Sequence, residues 1–186
     1  MRIGGAGILD VLGSRRTAVA VLATITGFYY LFVAITNCTD TVTNRRGVAA
    51  VLSMRATIHN PGTDWRALTN GNVALVVYIL VVVWEFSIAL VLLVAAACWL
   101  RELSGRPRRV PVRPGAAAKL SSIGWTMAVL LFAGAFLTVG GEWFRMWANK
   151  EVNASSAALQ NFLIAGIGLV LVHLPDSASR AAAPSE

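Results

Sequence analysis

The stretch Val73–Leu100, VALVVYILVVVWEFSIALVLLVAAACWL, decides the fold. Its 28 residues carry one charged side chain, Glu85, near the middle. As a helix it would be about 42 Å long against ~30 Å of bilayer hydrocarbon, so it spans a membrane with tilt or overhang. Asn72, following the Asn70-Gly71 turn, is the expected N-cap, and Arg101 ends the run.

Three further runs flank it. Thr17–Thr36 holds 20 residues without a charge and follows Arg15 and Arg16. Leu120–Val139 lies between Lys119 and Gly140-Gly141. Ala157–Leu174 has 18 residues, with Asn153, Ser155 and Ser156 as candidate caps and Pro175 as a stop. Composition agrees. Apolar residues make up 56% of the 186 and charged residues 13%, and mean hydropathy is +0.66. A soluble domain is about 25% charged, so neither a water-soluble enzyme nor a disordered chain fits. The expectation is an all-α fold, a four-helix transmembrane bundle with a helical extracytoplasmic loop between spans one and two. Residues 1–16 form an N-terminal segment, 17–174 the membrane domain (spans 17–36, 73–100, 120–139 and 157–174), and 175–186 a small polar tail expected to be disordered. Ser14-Arg15-Arg16-Thr17 lacks the residues that follow a twin-arginine pair. Ala34-Ile35-Thr36-Asn37-Cys38 is no lipobox, so the first span is read as retained.

The connections differ in kind. In loop one, Asn37 to Asn72, the residues Val48, Val51, Leu52 and Ile58 recur at helical spacing beside Arg45, Arg46 and Arg55. That predicts a short interfacial helix, broken at Asn60-Pro61-Gly62, with Asp64 capping a turn through Trp65, Arg66 and Leu68. Loop two, Arg101 to Lys119, mixes Pro107, Pro111 and Pro114 with six basic residues and reads as extended. Loop three, Gly140 to Ser156, is tight and carries Trp143 and Trp147 at headgroup depth. The N-terminus, loop two and the tail hold ten basic residues, and loops one and three hold six. The richer side is expected to be cytoplasmic, with both termini inside. The net charge of +7 therefore reads as an orientation signal, and no nucleic-acid partner is expected.

Glu85 is the most informative single residue. A carboxylate in hydrocarbon costs about 2.5–3.5 kcal/mol or more, so it must face the bundle, be protonated or be paired. Two readings stay open: a proton or cation site, and a hydrogen-bonding post that locks helix packing. Polar groups on the other spans could surround it. Tyr29 and Tyr30, the likeliest partners, lie on span one, with Tyr78 seven residues before Glu85 on the same helix face, Thr138 and Glu142 on span three, and Gln160 and Asn161 on span four. A second candidate lies on the outer face: Glu142, Trp143, Arg145 and Trp147 after span three, with Asp40, Trp65 and Arg66 of loop one. Glu142 and Arg145, three apart, would pair on a continuing helical turn. The small-residue pairs Ala23/Gly27, Gly124/Ala128 and Gly134/Thr138, with Gly166 and Gly168, suit close helix contact. The two cysteines, Cys38 and Cys98, fall at opposite faces. No motif points to a metal, a cofactor or a catalytic set.

Taken in order, Asn37-Cys-Thr-Asp40 with Asn44, Trp65-Arg-Ala-Leu-Thr69, Trp84-Glu85, Gly140-Gly-Glu-Trp-Phe-Arg-Met-Trp147 and Leu174-Pro-Asp176 resemble the bacterial family of predicted small integral membrane proteins, a four-span family of unknown function. The resemblance covers about Thr17 to Asp176, and the Gly140–Trp147 string is its most specific part. Two positions depart from the pattern: Arg55 stands where Asp is usual, and Val152 where Trp is usual. The resemblance implies a protein of the bacterial inner membrane and names no catalytic residue. The leading expectation is a non-catalytic accessory or structural subunit that binds membrane lipid, a membrane-protein partner or a second copy of the chain. The alternative is a small proton-coupled carrier using Glu85.

Overall fold

Each of the four apolar runs forms one long helix. The structure is a computed structural model describing residues 7–104 and 115–175. The chain order is α1 (Ile8–Leu12), α2 (Arg15–Thr39), α3 (Thr41–Leu52), α4 (Pro61–Asp64), α5 (Gly71–Leu103), α6 (Ala116–Val129), a π-helix continuing α6 over Leu130–Trp143, a 3-10 turn at Met146–Ala148, and α7 (Ser155–His173). The expectations for residues 105–114 of loop two and for the tail from residue 176 lie outside the described residues.

Four helices, α2, α5, α6 with its π extension, and α7, are long and apolar enough to cross a membrane. Local chemistry sets their starts. The Ser14 hydroxyl accepts from Thr17 N–H at 3.2 Å, and the Asn153 side chain accepts from Ser155 N–H at 3.0 Å. The α5 cap is Asn70, not Asn72: its carbonyl oxygen accepts from Asn72 N–H at 2.9 Å, which starts the helix at Gly71.

The spans pack as an antiparallel ring in chain order, with the most extensive contact between α2 and α5. Close approach rests on three glycines. A Cβ on Gly27 would meet Leu93 at 3.0 Å, one on Gly124 Leu92 at 2.6 Å, and one on Gly168 the Trp125 ring at 2.5 Å. The expected small-residue positions Gly134 and Gly166 face open space instead. Three indoles tie the spans together, as polar groups do where lipid offers no partner. Trp125 donates to Thr26 Oγ1 at 3.2 Å, Trp99 to Ser121 Oγ at 3.0 Å, and Trp84 to the Met127 carbonyl at 3.0 Å. At the end where α2 begins, the terminal end, the Arg15 guanidinium donates to the Leu171 and Val172 carbonyls at 3.1 and 2.9 Å. A cation there satisfies the last carbonyls of α7 and complements its dipole.

The opposite, capped end differs from the expected interfacial helix. The end of α3 is plugged into a second small core, in which Val51, Leu52, Met54, Ala74, Phe144 and Met146 are buried together. The helix stops at Leu52, well before Asn60-Pro61, because Met54 turns the chain back at φ 53° with its side chain buried. Ile58, expected on the apolar face, is exposed. Asn60, not Asp64, caps the next turn, and Asp64 accepts from Asn60 N–H at 3.1 Å. Span three also departs from expectation. Its half toward the capped end is π-helical, so Phe144 N–H reaches back five residues to the Val139 carbonyl at 3.0 Å. Three of its residues, Gly134, Gly140 and Gly141, are glycines, poor holders of the α pitch.

Candidate functional site

Glu85 faces into the bundle and is buried, as its lone charge requires. Its partner is not a tyrosine. Asn37 of α2 donates its side-chain N–H to the carboxylate at 2.5 Å, and Tyr78 donates its hydroxyl to the Asn37 carbonyl at 2.6 Å. The reason is register. Thr26 and Gly27, the centre of span one, meet Trp125 and Leu93. Glu85 lies a further two turns toward the capped end, about 12 Å from that level. It therefore stands opposite Asn37, near the end of α2, rather than opposite Tyr29 or Tyr30. The 33-residue α5 overhangs the 25-residue α2, so the midpoint of its apolar run is not level with the midpoint of α2.

The other intramembrane candidates are used separately. Tyr29 accepts from the Asn161 side chain at 3.3 Å, which joins α2 to α7. Tyr30 is buried, stacked on Phe132 at 5.8 Å and edge-on to Tyr29 at 5.3 Å. Gln160 is exposed, and Thr138 turns its hydroxyl back to the Ala133 carbonyl at 2.8 Å. The polar groups thus join helices pairwise around Asn37 and Asn161.

At the capped end the structure brings most of the second candidate set together. Trp65 and Trp143 meet edge to face at 5.7 Å. The Arg66 guanidinium lies 4.5 Å from the Trp143 ring centre and 5.7 Å from that of Trp65. Arg145 lies 5.7 Å from the Trp147 ring. The expected Glu142–Arg145 ion pair does not form. The helix ends at Trp143, and Arg145 adopts φ 56°, so the two residues no longer share a helical turn. Arg145 instead donates to the Ile58 carbonyl at 3.0 Å and Thr63 Oγ1 at 3.2 Å, which pins the exit of span three to loop one. Asp40 stands apart as the cap of α3, accepting from Thr43 N–H at 3.3 Å.

Sequence reasoning missed Asn149. It is buried, donates to the Ala50 carbonyl at 3.1 Å, and accepts from Glu151 and Val152 N–H at 2.8 and 2.9 Å. With the Arg55–Glu151 ion pair at 2.9 Å it fastens loop three to the end of α3. That pair is largely exposed and contributes only about 0–1 kcal/mol. A lone Asn in a loop carries no pattern that could have marked it.

Between Arg66 and the end of the π-helix lies an open cleft of about 650 Å³, lined by Arg66, Thr138, Val139, Glu142, Trp143 and Phe144. Among the described residues, the Arg66 Nε is buried without a hydrogen-bond partner. Both cysteines are free, Cys38 exposed and Cys98 buried. Among the described residues, no group of three or more His, Cys, Asp or Glu side chains could hold a metal ion.

A family model described as predicted small integral membrane protein (DUF2165) matches residues 15–175, the whole four-span bundle. No curated protein and no solved structure matches the chain.

Proposed function

The chain belongs to this family of predicted small integral membrane proteins, and from that premise we propose that it is a non-catalytic accessory or structural protein whose working surface is the capped end of its bundle. The observation that carries this reading is the cluster of Trp65, Arg66 and Trp143 beside an open cleft. Aromatic rings and arginines at a membrane boundary are the side chains that hold lipid headgroups and partner chains. Glu85 supports it from the other side. Its carboxylate accepts from Asn37, the four apolar runs contain no other Asp, Glu, Lys or Arg, and His173 lies at the far, terminal end of α7. It is a packing post rather than a carrier site. In this reading the capped end faces away from the cytoplasm, both termini are cytoplasmic, and the membrane is the bacterial inner membrane.

Co-purification in mild detergent tests the proposal. Glu85→Gln keeps an acceptor for Asn37 and is expected to retain whatever lipid or protein the wild type retains. Trp143→Ala is expected to lose it. If Glu85→Gln abolishes the cellular role while fold and expression stay intact, the proton-carrier reading replaces this one.

A further inference from the structure

We propose that the cleft between Arg66 and Glu142 is a binding site for the zwitterionic headgroup of a phosphoethanolamine lipid, an inference that rests on the capped end being the working surface. Arg66 and Glu142 line the same cleft, yet no ion pair joins them, and the Glu142 side chain is exposed. The guanidinium is held against the Trp143 and Trp65 rings, and its buried Nε has no partner among the described residues. A cation and a carboxylate that face one cavity without meeting suit a ligand carrying both opposite charges. A phosphate on Arg66 gains charge-assisted hydrogen bonds in the geometry guanidinium favours. An ammonium on Glu142 completes the pair.

Three alternatives fit less well. A purely anionic lipid would set its phosphate on Arg66 but bring no cation to the nearby Glu142 carboxylate. A phosphocholine group has no N–H to give that carboxylate and prefers aromatic faces, which Arg66 already covers here. A soluble zwitterion would not use the apolar part of the wall. Val139, Trp143 and Phe144 line the cleft at the end of the apolar run, and Gly134, deeper on the same helix, leaves open space beside it. An acyl chain can continue along that face into the hydrocarbon. The volume, about 650 Å³, lies within the ~300–1,000 Å³ usual for small-ligand sites.

The test is native mass spectrometry of the full-length protein with equimolar phosphatidylethanolamine, phosphatidylcholine and phosphatidylglycerol of matched chains. The wild type is expected to retain phosphatidylethanolamine about tenfold over the other two, the size of one charge-assisted hydrogen bond. Glu142→Gln, a conservative change at an exposed position, is expected to erase the preference over phosphatidylcholine and to raise phosphatidylglycerol. Arg66→Gln is expected to lower all three. Equal retention of the three lipids by the wild type, or an unchanged preference in Glu142→Gln, overturns the assignment. Displacement of the bound lipid by millimolar glycerophosphoethanolamine, which has no acyl chains, overturns the lipid as ligand and points to a soluble zwitterion. If the preference is absent while Trp143→Ala still loses a co-purifying partner, the headgroup assignment fails alone. If neither effect is seen, the working-surface reading fails with it.

Discussion

At the residue scale, Glu85 is a polar contact between two helices, and its substitutions separate shape from charge. Glu85→Gln keeps the acceptor for Asn37 and is expected to leave the melting temperature in detergent nearly unchanged. Glu85→Leu strands the Asn37 side chain and is expected to lose about 0.5–2 kcal/mol, the range for an interhelical hydrogen bond in a membrane. Equal melting of the two variants would show that the bond contributes nothing. The glycines give a sharper contrast. Gly168→Ala drives a Cβ to 2.5 Å from the buried Trp125 ring and is expected to cost about 1–3 kcal/mol. Gly166→Ala, two residues away and facing open space, is expected to be neutral or slightly stabilising in the same melting assay. That Glu85 points inward was legible because one charge in 28 apolar residues leaves no other place for it. Its partner was not, since hydropathy says nothing of how far one helix overhangs the next.

At the element scale, the four spans were legible and their inner geometry was not. A hydropathy run reads the same whether the backbone follows α or π spacing, so the change at Leu130 left no mark in the hydropathy pattern. Loop one was half legible. The period of Val48, Val51 and Leu52 revealed α3, but the second core assembles Met54, Ala74, Phe144 and Met146 from three separate segments. The Trp and Arg side chains that meet at the capped end, Trp65, Arg66, Trp143, Arg145 and Trp147, could be picked from the sequence by type, but not their contacts. The expected Glu142–Arg145 pair failed because Arg145 leaves the helix for the left-handed region. Met54 occupies that region too, and two opposing effects meet there. Met54→Gly relieves about 1–2 kcal/mol of backbone strain and removes a buried side chain worth about 2–5 kcal/mol. A net loss of about 1–3 kcal/mol is expected, with faster hydrogen exchange across residues 48–56 than in α5. A stabilised Met54→Gly variant would mean that strain outweighs packing at the capped end.

At the scale of the whole molecule, the bundle has two unlike ends. The terminal end is closed by Arg15 on the last carbonyls of α7, and the capped end carries a second core, a cluster of exposed and half-exposed Trp and Arg side chains and an open cleft. Topology is tested by labelling in a Cys38→Ser, Cys98→Ser background. Cysteines at Thr63 and Lys150 are expected to react with an impermeant maleimide in intact cells, and one at Ser104 only after permeabilisation; the reverse pattern inverts the orientation. The proposal puts the working surface at the capped end, and photo-crosslinking in living cells tests that directly. A benzophenone amino acid is placed at the exposed Trp65 or Trp147 of the capped end and, for comparison, at the exposed Ile164 or Val170 of α7. Discrete, reproducible adducts are expected from the capped-end positions and none of comparable yield from α7. Discrete adducts confined to Ile164 and Val170 would contradict the proposal and place the working surface on the flank of the bundle.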